Sequence, residues 1–333
     1  MADHQSLFEA YLNQHDDAAW EQVIDQVWSA IHPVDQRATR IWFAFFPLKL
    51  KRALEAAPDP AKLERDLILQ GAWKLGDQVD GSAHFLYGHR YWPDVKKAVA
   101  VYADATNAPS SLALRVQILD VAGKVATQVK ADKSLLTGIT AVAFMTLQQV
   151  GRELFGQPSA PVGKATSKSP DQIVRGRATD DNPGMFGFLR TIDKRFTVTF
   201  DERNRESKFK IVHTQDLTMA AQLDKRPHHL NDPRCKAGEG PIPVECRTAA
   251  CGTCWVGVLS DASKVAEPTS REINMMNETF CYSGFTGTHD SPIRLACQVR
   301  CEGNISIVIP PWNGLLRKLS RLNEPEEETV TTE

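Results

Sequence analysis

The chain has 333 residues, 42% hydrophobic and 24% charged, with a formal net charge of −2. Such a length accommodates about two domains with a sizeable core, and the composition is that of a globular protein. The near-zero net charge argues against nucleic acid or an anionic membrane as the main partner. Met1-Ala-Asp-His-Gln carries no basic stretch followed by an apolar one, so no secretory signal is expected and the chain reads as cytoplasmic.

From the N-terminus, apolar residues recur at helical spacing: Leu7, Tyr11, Trp20, Val23, Ile24, Val27 and Trp28, then Ile41, Phe45, Leu48 and Leu50. This periodicity predicts helices near 5–14, 17–31, 34–55, 60–76, 91–106, 109–130 and 134–154, with breaks at Asp59-Pro60, Trp92-Pro93 and 107–110. The longest uncharged run, 134–151, is interrupted by Thr137, Gly138, Thr140, Thr146, Gln148 and Gln149, and so predicts a buried helix rather than a membrane span. Residues 1–155 are therefore expected to form an all-helical domain. Two segments in it invite a functional reading. Ala83–Trp92 sets His84 and His89 beside Phe85, Tyr87, Tyr91 and Trp92. They could line a quinone or haem pocket, but the five-residue spacing puts the two histidines on different faces of a helix, and aromatic packing at a helix–turn junction is the plainer reading. Residues 41–46, Ile-Trp-Phe-Ala-Phe-Phe, read as core; if one side were exposed they would make a partner surface, as would 85–92.

Composition changes at residue 156. Residues 156–170 are rich in Pro, Gly, Ser and Lys, a linker composition that predicts the first site of proteolysis. Residues 171–194 are ambiguous, an arm for one domain or the other, so 156–194 is taken as linker and arm. Residues 196–200 and 208–213 alternate as two strands of a hairpin, a short helix follows at 217–223, and 255–259 is another strand. A short helix is expected near 269–277, and a last strand pair opening at Cys297 and ending at 305–310. Beyond 312 come a short basic helix and an acidic tail of disordered composition, residues 313–333. The result is an α+β chain: a helical domain at 1–155, then at 195–312 a β-grasp sheet crossed by one helix, expected to fold independently.

The densest chemistry lies in Cys246-Arg-Thr-Ala-Ala-Cys251-Gly-Thr-Cys254, followed much later by Arg294-Leu-Ala-Cys297-Gln298. C-x4-C-x2-C with a distant fourth cysteine is the ligand spacing of a plant-type [2Fe–2S] cluster. Two bridged irons need four thiolates as two pairs, three of them from one tight loop. The small residues Ala249, Ala250, Gly252 and Thr253 allow backbone N–H groups to turn toward the sulfurs. In these features residues 195–312 resemble the plant-type and bacterial [2Fe–2S] ferredoxins, whose loop starts Cys-Arg and whose fourth ligand sits in Leu-x-Cys-Gln. The resemblance implies an electron carrier with Cys246, Cys251, Cys254 and Cys297 as cluster and metal ligands. It departs from the family at Ala249, where Gly is common and a different torsion is expected. The Cys254–Cys297 gap is also longer than in compact ferredoxins, and a further insertion lies near 224–243 with His228, His229 and Cys235 inside it.

A zinc site would more naturally show two C-x2-C knuckles, and only Cys251–Cys254 has that spacing. A Rieske centre needs C-x-H, which is absent. Cys301 competes with Cys297 as fourth ligand, while Cys235 and Cys281 read as free thiols. No phosphate loop or dinucleotide fingerprint is present, so the chain reads as a one-electron carrier with no catalytic residues of its own. Because 195–312 lacks the acidic excess of the family, a dedicated oxidoreductase bound through the helical domain is the expected partner. An electron-relay subunit of a multi-subunit oxidoreductase and an iron–sulfur redox-sensing regulator are the rival readings.

Overall fold

A computed structural model describes residues 7–45, 54–67, 76, 79–105, 112–159, 161–163, 166–180, 194–232, 235–280, 282 and 285–310. The basic helix and acidic tail at 313–333 and Cys281 lie outside them, as do parts of the helices expected to reach 55 and 76.

The N-terminal helices follow the apolar periodicity: α1 Leu7–Leu12, α2 Asp17–Val27, α3 Pro33–Phe45, α4 Pro60–Leu67, α5 Trp92–Ala105, α6 Leu114–Val129 and α7 Ser134–Phe155. Asp16 caps α2 by accepting from Ala19 N at 2.8 Å, satisfying a first-turn N–H that has no partner in the helix. α7 is the axis of the layer, packed against α1, α3, α5 and α6. Its composition passes for a membrane span, with a mean hydropathy of 1.2, but 83% of that window is buried against the rest of the protein. Trp20 Nε1 donates to Gln148 at 2.6 Å, which explains how a glutamine sits inside this helix.

β1 Arg195–Thr199, β2 Lys208–Val212, β3 Trp255–Val258, β4 Ile293–Leu295 and β5 Ile305–Val308 form one mixed sheet in the order β2-β1-β5-β3-β4. β1 and β5 run parallel at its centre, while the β1–β2, β5–β3 and β3–β4 pairs are antiparallel. α9 Leu217–Ala221 follows the hairpin, and α10 Ser270–Asn274 lies between β3 and β4. The chain is thus a mixed α+β fold. The strand expected to open at Cys297 ends instead at Leu295, because Ala296 and the residues after it turn back, Gln298 N donating to Leu295 O at 2.7 Å. Cys301, expected within a strand, makes a single bridge to Val265.

The break in composition at 156 is not a break in packing. One hydrophobic core runs from Phe8 and Trp42 through to Val256 and Ile307. Ile41 of α3 lies so close to Gly257 of β3 that a Cβ there would stand 2.5 Å from Ile41 Cγ2. Arg37 donates from Nε to Val258 O at 3.0 Å and pairs with Asp290 at 2.8 Å. The ambiguous arm is α8, Pro170–Ala178, begun by a Ser169–Gln172 capping box. From it Arg177 donates to Val34 O at 2.7 Å and holds Glu202 at 2.8 Å through two nitrogens, tying α3 to the end of β1. These contacts join the helical layer and α8 to the sheet.

The aromatic segments expected to form a partner surface are mostly core: Ile41, Trp42, Phe45, Leu86 and Trp92 are buried, and Phe43, Phe85, Tyr87 and Tyr91 are partly covered. The stretch holding His84 and His89 is a turn followed by a 3₁₀ helix at Tyr87–Tyr91, not one α-helix, so the two histidines line the same cleft rather than opposite faces.

Candidate metal centre

The cysteine loop joins the segment after α9 to β3. Small residues let it coil tightly, and three of its residues take left-handed torsions: Arg247 at φ 54°, Ala249 at φ 63° and Gly252 at φ 68°. Ala249 thus holds a torsion that favours glycine, at a cost of about 1–2 kcal/mol for an L-residue. At Gly252 a side chain has no room, since a Cβ would stand 2.9 Å from the Phe280 ring.

This coil turns N–H groups onto sulfur. Thr248 N donates to Cys246 Sγ at 3.4 Å and Cys251 N to the same atom at 3.3 Å. Cys251 Sγ lies 3.1 Å from Thr253 Oγ1, and Gln298 Nε2 is 3.6 Å from Cys297 Sγ. The thiols fall into two hydrogen-bonded pairs. Cys246 lies beside Cys251, and Cys254 beside Cys297. Cys254 and Cys297 are buried, whereas Cys246 and Cys251 reach toward solvent.

The pairing polarises the thiols. Burial would push Cys246 up, but hydrogen bonds from Cys251 and Thr248 outweigh it and bring the group down to about 7. Cys297 is lowered first by its hydrogen bond from Cys254, with Gln298 and the Ala249 N–H assisting against burial. Cys254, as the donor of that bond and buried, is raised. Cys301 has no such company; burial and then Glu302 push it up to about 12. Cys235 is buried in the insertion that packs Gly240 onto α9.

One buried ion pair behind the site was not read from the sequence. Arg294 of β4 and Glu272 of α10 are both fully buried. Arg294 donates to Glu272 through Nε at 2.9 Å and Nη2 at 2.8 Å, and to Ala266 O at 3.1 Å, while Leu295 N donates to Glu272 Oε1 at 2.9 Å. The strand that ends two residues before Cys297 is thereby fixed from behind. Ala296 N donates to Cys254 O at 2.8 Å, drawing the distant fourth cysteine to the loop.

Among the described residues, no three His, Cys, Asp or Glu side chains converge as a single metal ion would require. The donor set is two thiol pairs side by side, with N–H groups aimed at them, which fits a binuclear cluster ligated by two cysteines per iron. No protein-family model matches this chain, and no solved structure matches its fold.

Proposed function

We propose that the chain is a one-electron transfer protein that holds a [2Fe–2S] cluster on Cys246, Cys251, Cys254 and Cys297 and serves a dedicated oxidoreductase partner. The observation that carries this reading is the pairing of four thiols, Cys246 with Cys251 and Cys254 with Cys297, around one N–H-lined loop. The order β2-β1-β5-β3-β4, with a parallel central pair and α9 after the hairpin, supports a β-grasp ferredoxin-like assignment for 195–312. When bound, such a cluster accepts and returns one electron at a time. The chain's own part is electrostatic. Four thiolates and the N–H groups of Thr248, Cys251 and Ala249 set how readily added negative charge is tolerated. Cys254 and Cys297 are shielded from water, and the half-exposed Cys246–Cys251 side, flanked by exposed Glu245, Arg247 and Thr248, is the short route to a partner. The helical layer, which packs on β3 through Ile41 against Gly257, is assigned to partner recognition.

Serine replacement tests the ligand set. Cys297→Ser should remove or strongly shift the visible absorbance of anaerobically purified protein, while Cys301→Ser leaves it unchanged. The reverse outcome would transfer the fourth ligand to Cys301, and an unchanged spectrum in both would remove Cys297 from the site.

A further inference from the structure

Between the helical layer and the sheet lies a cleft that the cysteines do not use. It is open to solvent and has a cavity volume of about 80 Å³, and Phe85, Tyr87, Phe200, Leu259, Ile307 and Ile309 give it an apolar, partly aromatic lining. Leu259 stands five residues after Cys254, about 17 Å along an extended chain, so the cleft and the cysteine loop are separate sites on one strand.

The charges on its wall are already partnered. Arg177 holds Glu202 through two bonds of 2.8 Å. Arg203 holds Asp201 at 3.0 and 3.1 Å. Arg90 stacks 3.5 Å over the Tyr87 ring and donates to the Tyr87 and Thr166 carbonyls. The wall is therefore poorly suited to capture an ion. His84 is different. Its Nδ1 lies 2.9 Å from Gly81 O, and a carbonyl can only accept, so Nδ1 carries the proton. Nε2, on the opposite edge of the ring, is left as an acceptor with no partner among the described residues, on a residue that lines the cleft. Burial, with the positive charge of Arg203 adding to it, brings the histidine down to about 4, so near pH 7 the ring stays neutral and keeps that lone pair.

We propose that this cleft binds a neutral planar aromatic alcohol, a phenol or a fused two-ring hydroxyarene. Its ring packs on the aromatic wall and its hydroxyl donates to Nε2 of His84. The apolar lining supplies affinity and the Nε2 acceptor supplies selectivity, the usual division of labour in a small-molecule pocket. This inference does not depend on the cluster reading.

Isothermal titration of the purified full-length protein with 2-naphthol, 2-methoxynaphthalene and 2-naphthoate tests it. Saturable binding of 2-naphthol is expected, about tenfold tighter than 2-methoxynaphthalene, the value of one hydrogen bond. His84→Phe should weaken 2-naphthol by about tenfold and leave 2-methoxynaphthalene within about twofold. Val162→Trp, from the rim of the cleft, should abolish binding of both. Absence of saturable 2-naphthol binding would overturn the proposal, as would equal losses of both probes in His84→Phe or tighter binding of 2-naphthoate. If His84→Phe does not fold, the wild-type comparison decides: equal affinities for the hydroxyl and methoxy probes would also overturn it.

Discussion

Arg294 and Glu272 hold opposite charges in full burial, an arrangement stable only while both are present. Arg294→Met should cost about 3–5 kcal/mol, because Glu272 is left buried without a counter-charge. The double variant with Glu272→Met should recover much of that loss, which chemical denaturation of the three proteins will measure. Asp35 is a buried carboxyl in the helical layer. Its carboxylate accepts from Tyr87 N at 2.6 Å and Gly88 N at 2.7 Å, yet burial outweighs these bonds and the nearby Arg177, raising it from 3.8 to about 6. Folded protein therefore holds this proton more tightly than unfolded protein. The contribution of Asp35 to stability should grow as pH falls from about 6 to about 4 and then level off. Thermal melts of the wild type and Asp35→Asn should differ in pH slope across that window; parallel curves would refute the assignment. Arg294 was legible as part of a cysteine motif, but its partner was not, since Glu272 lies 22 positions away and nothing in local spacing links them.

At the scale of elements, the packing of α3 on β3 rests on a missing side chain. Gly257→Ala would bring a Cβ to 2.5 Å from Ile41 Cγ2 and force helix and strand apart, at about 1–3 kcal/mol for overpacking. Ile41→Ala alone should cost about 2–5 kcal/mol through the cavity it leaves. Together the two changes should be less costly than their sum, since the new methyl enters the space the isoleucine vacates. Urea denaturation of the four proteins tests this, and strict additivity would deny the contact. Helix positions were readable because Trp20, Val23, Ile24, Val27 and Ile41 mark a repeating buried face. β4 was missed for a physical reason. It has only three residues, Ile293–Leu295, all buried, so it shows no alternation of polar and apolar residues. The histidine pair was misread because a 3₁₀ turn, rather than an α-helix, carries the chain past Gly88.

On the scale of the whole molecule, composition divides the chain at residue 156 but the core does not. Linker composition reports which residues need not be buried, and says nothing of α3 reaching across to Gly257 or of Arg177 bridging Val34 and Glu202. The cysteine loop drew the most specific expectation, because the ligand set of the proposed cluster would fix residue type and spacing together. What spacing could not supply was the route by which Cys297 returns to Cys254, built by the Ala296 backbone and the buried Arg294. Metal analysis decides whether the four cysteines hold a cluster. Protein purified without oxygen should contain about two irons and two acid-labile sulfides per chain and give a rhombic EPR signal after one-electron reduction with dithionite. Zinc without labile sulfide, or iron with no such signal on reduction, would contradict it.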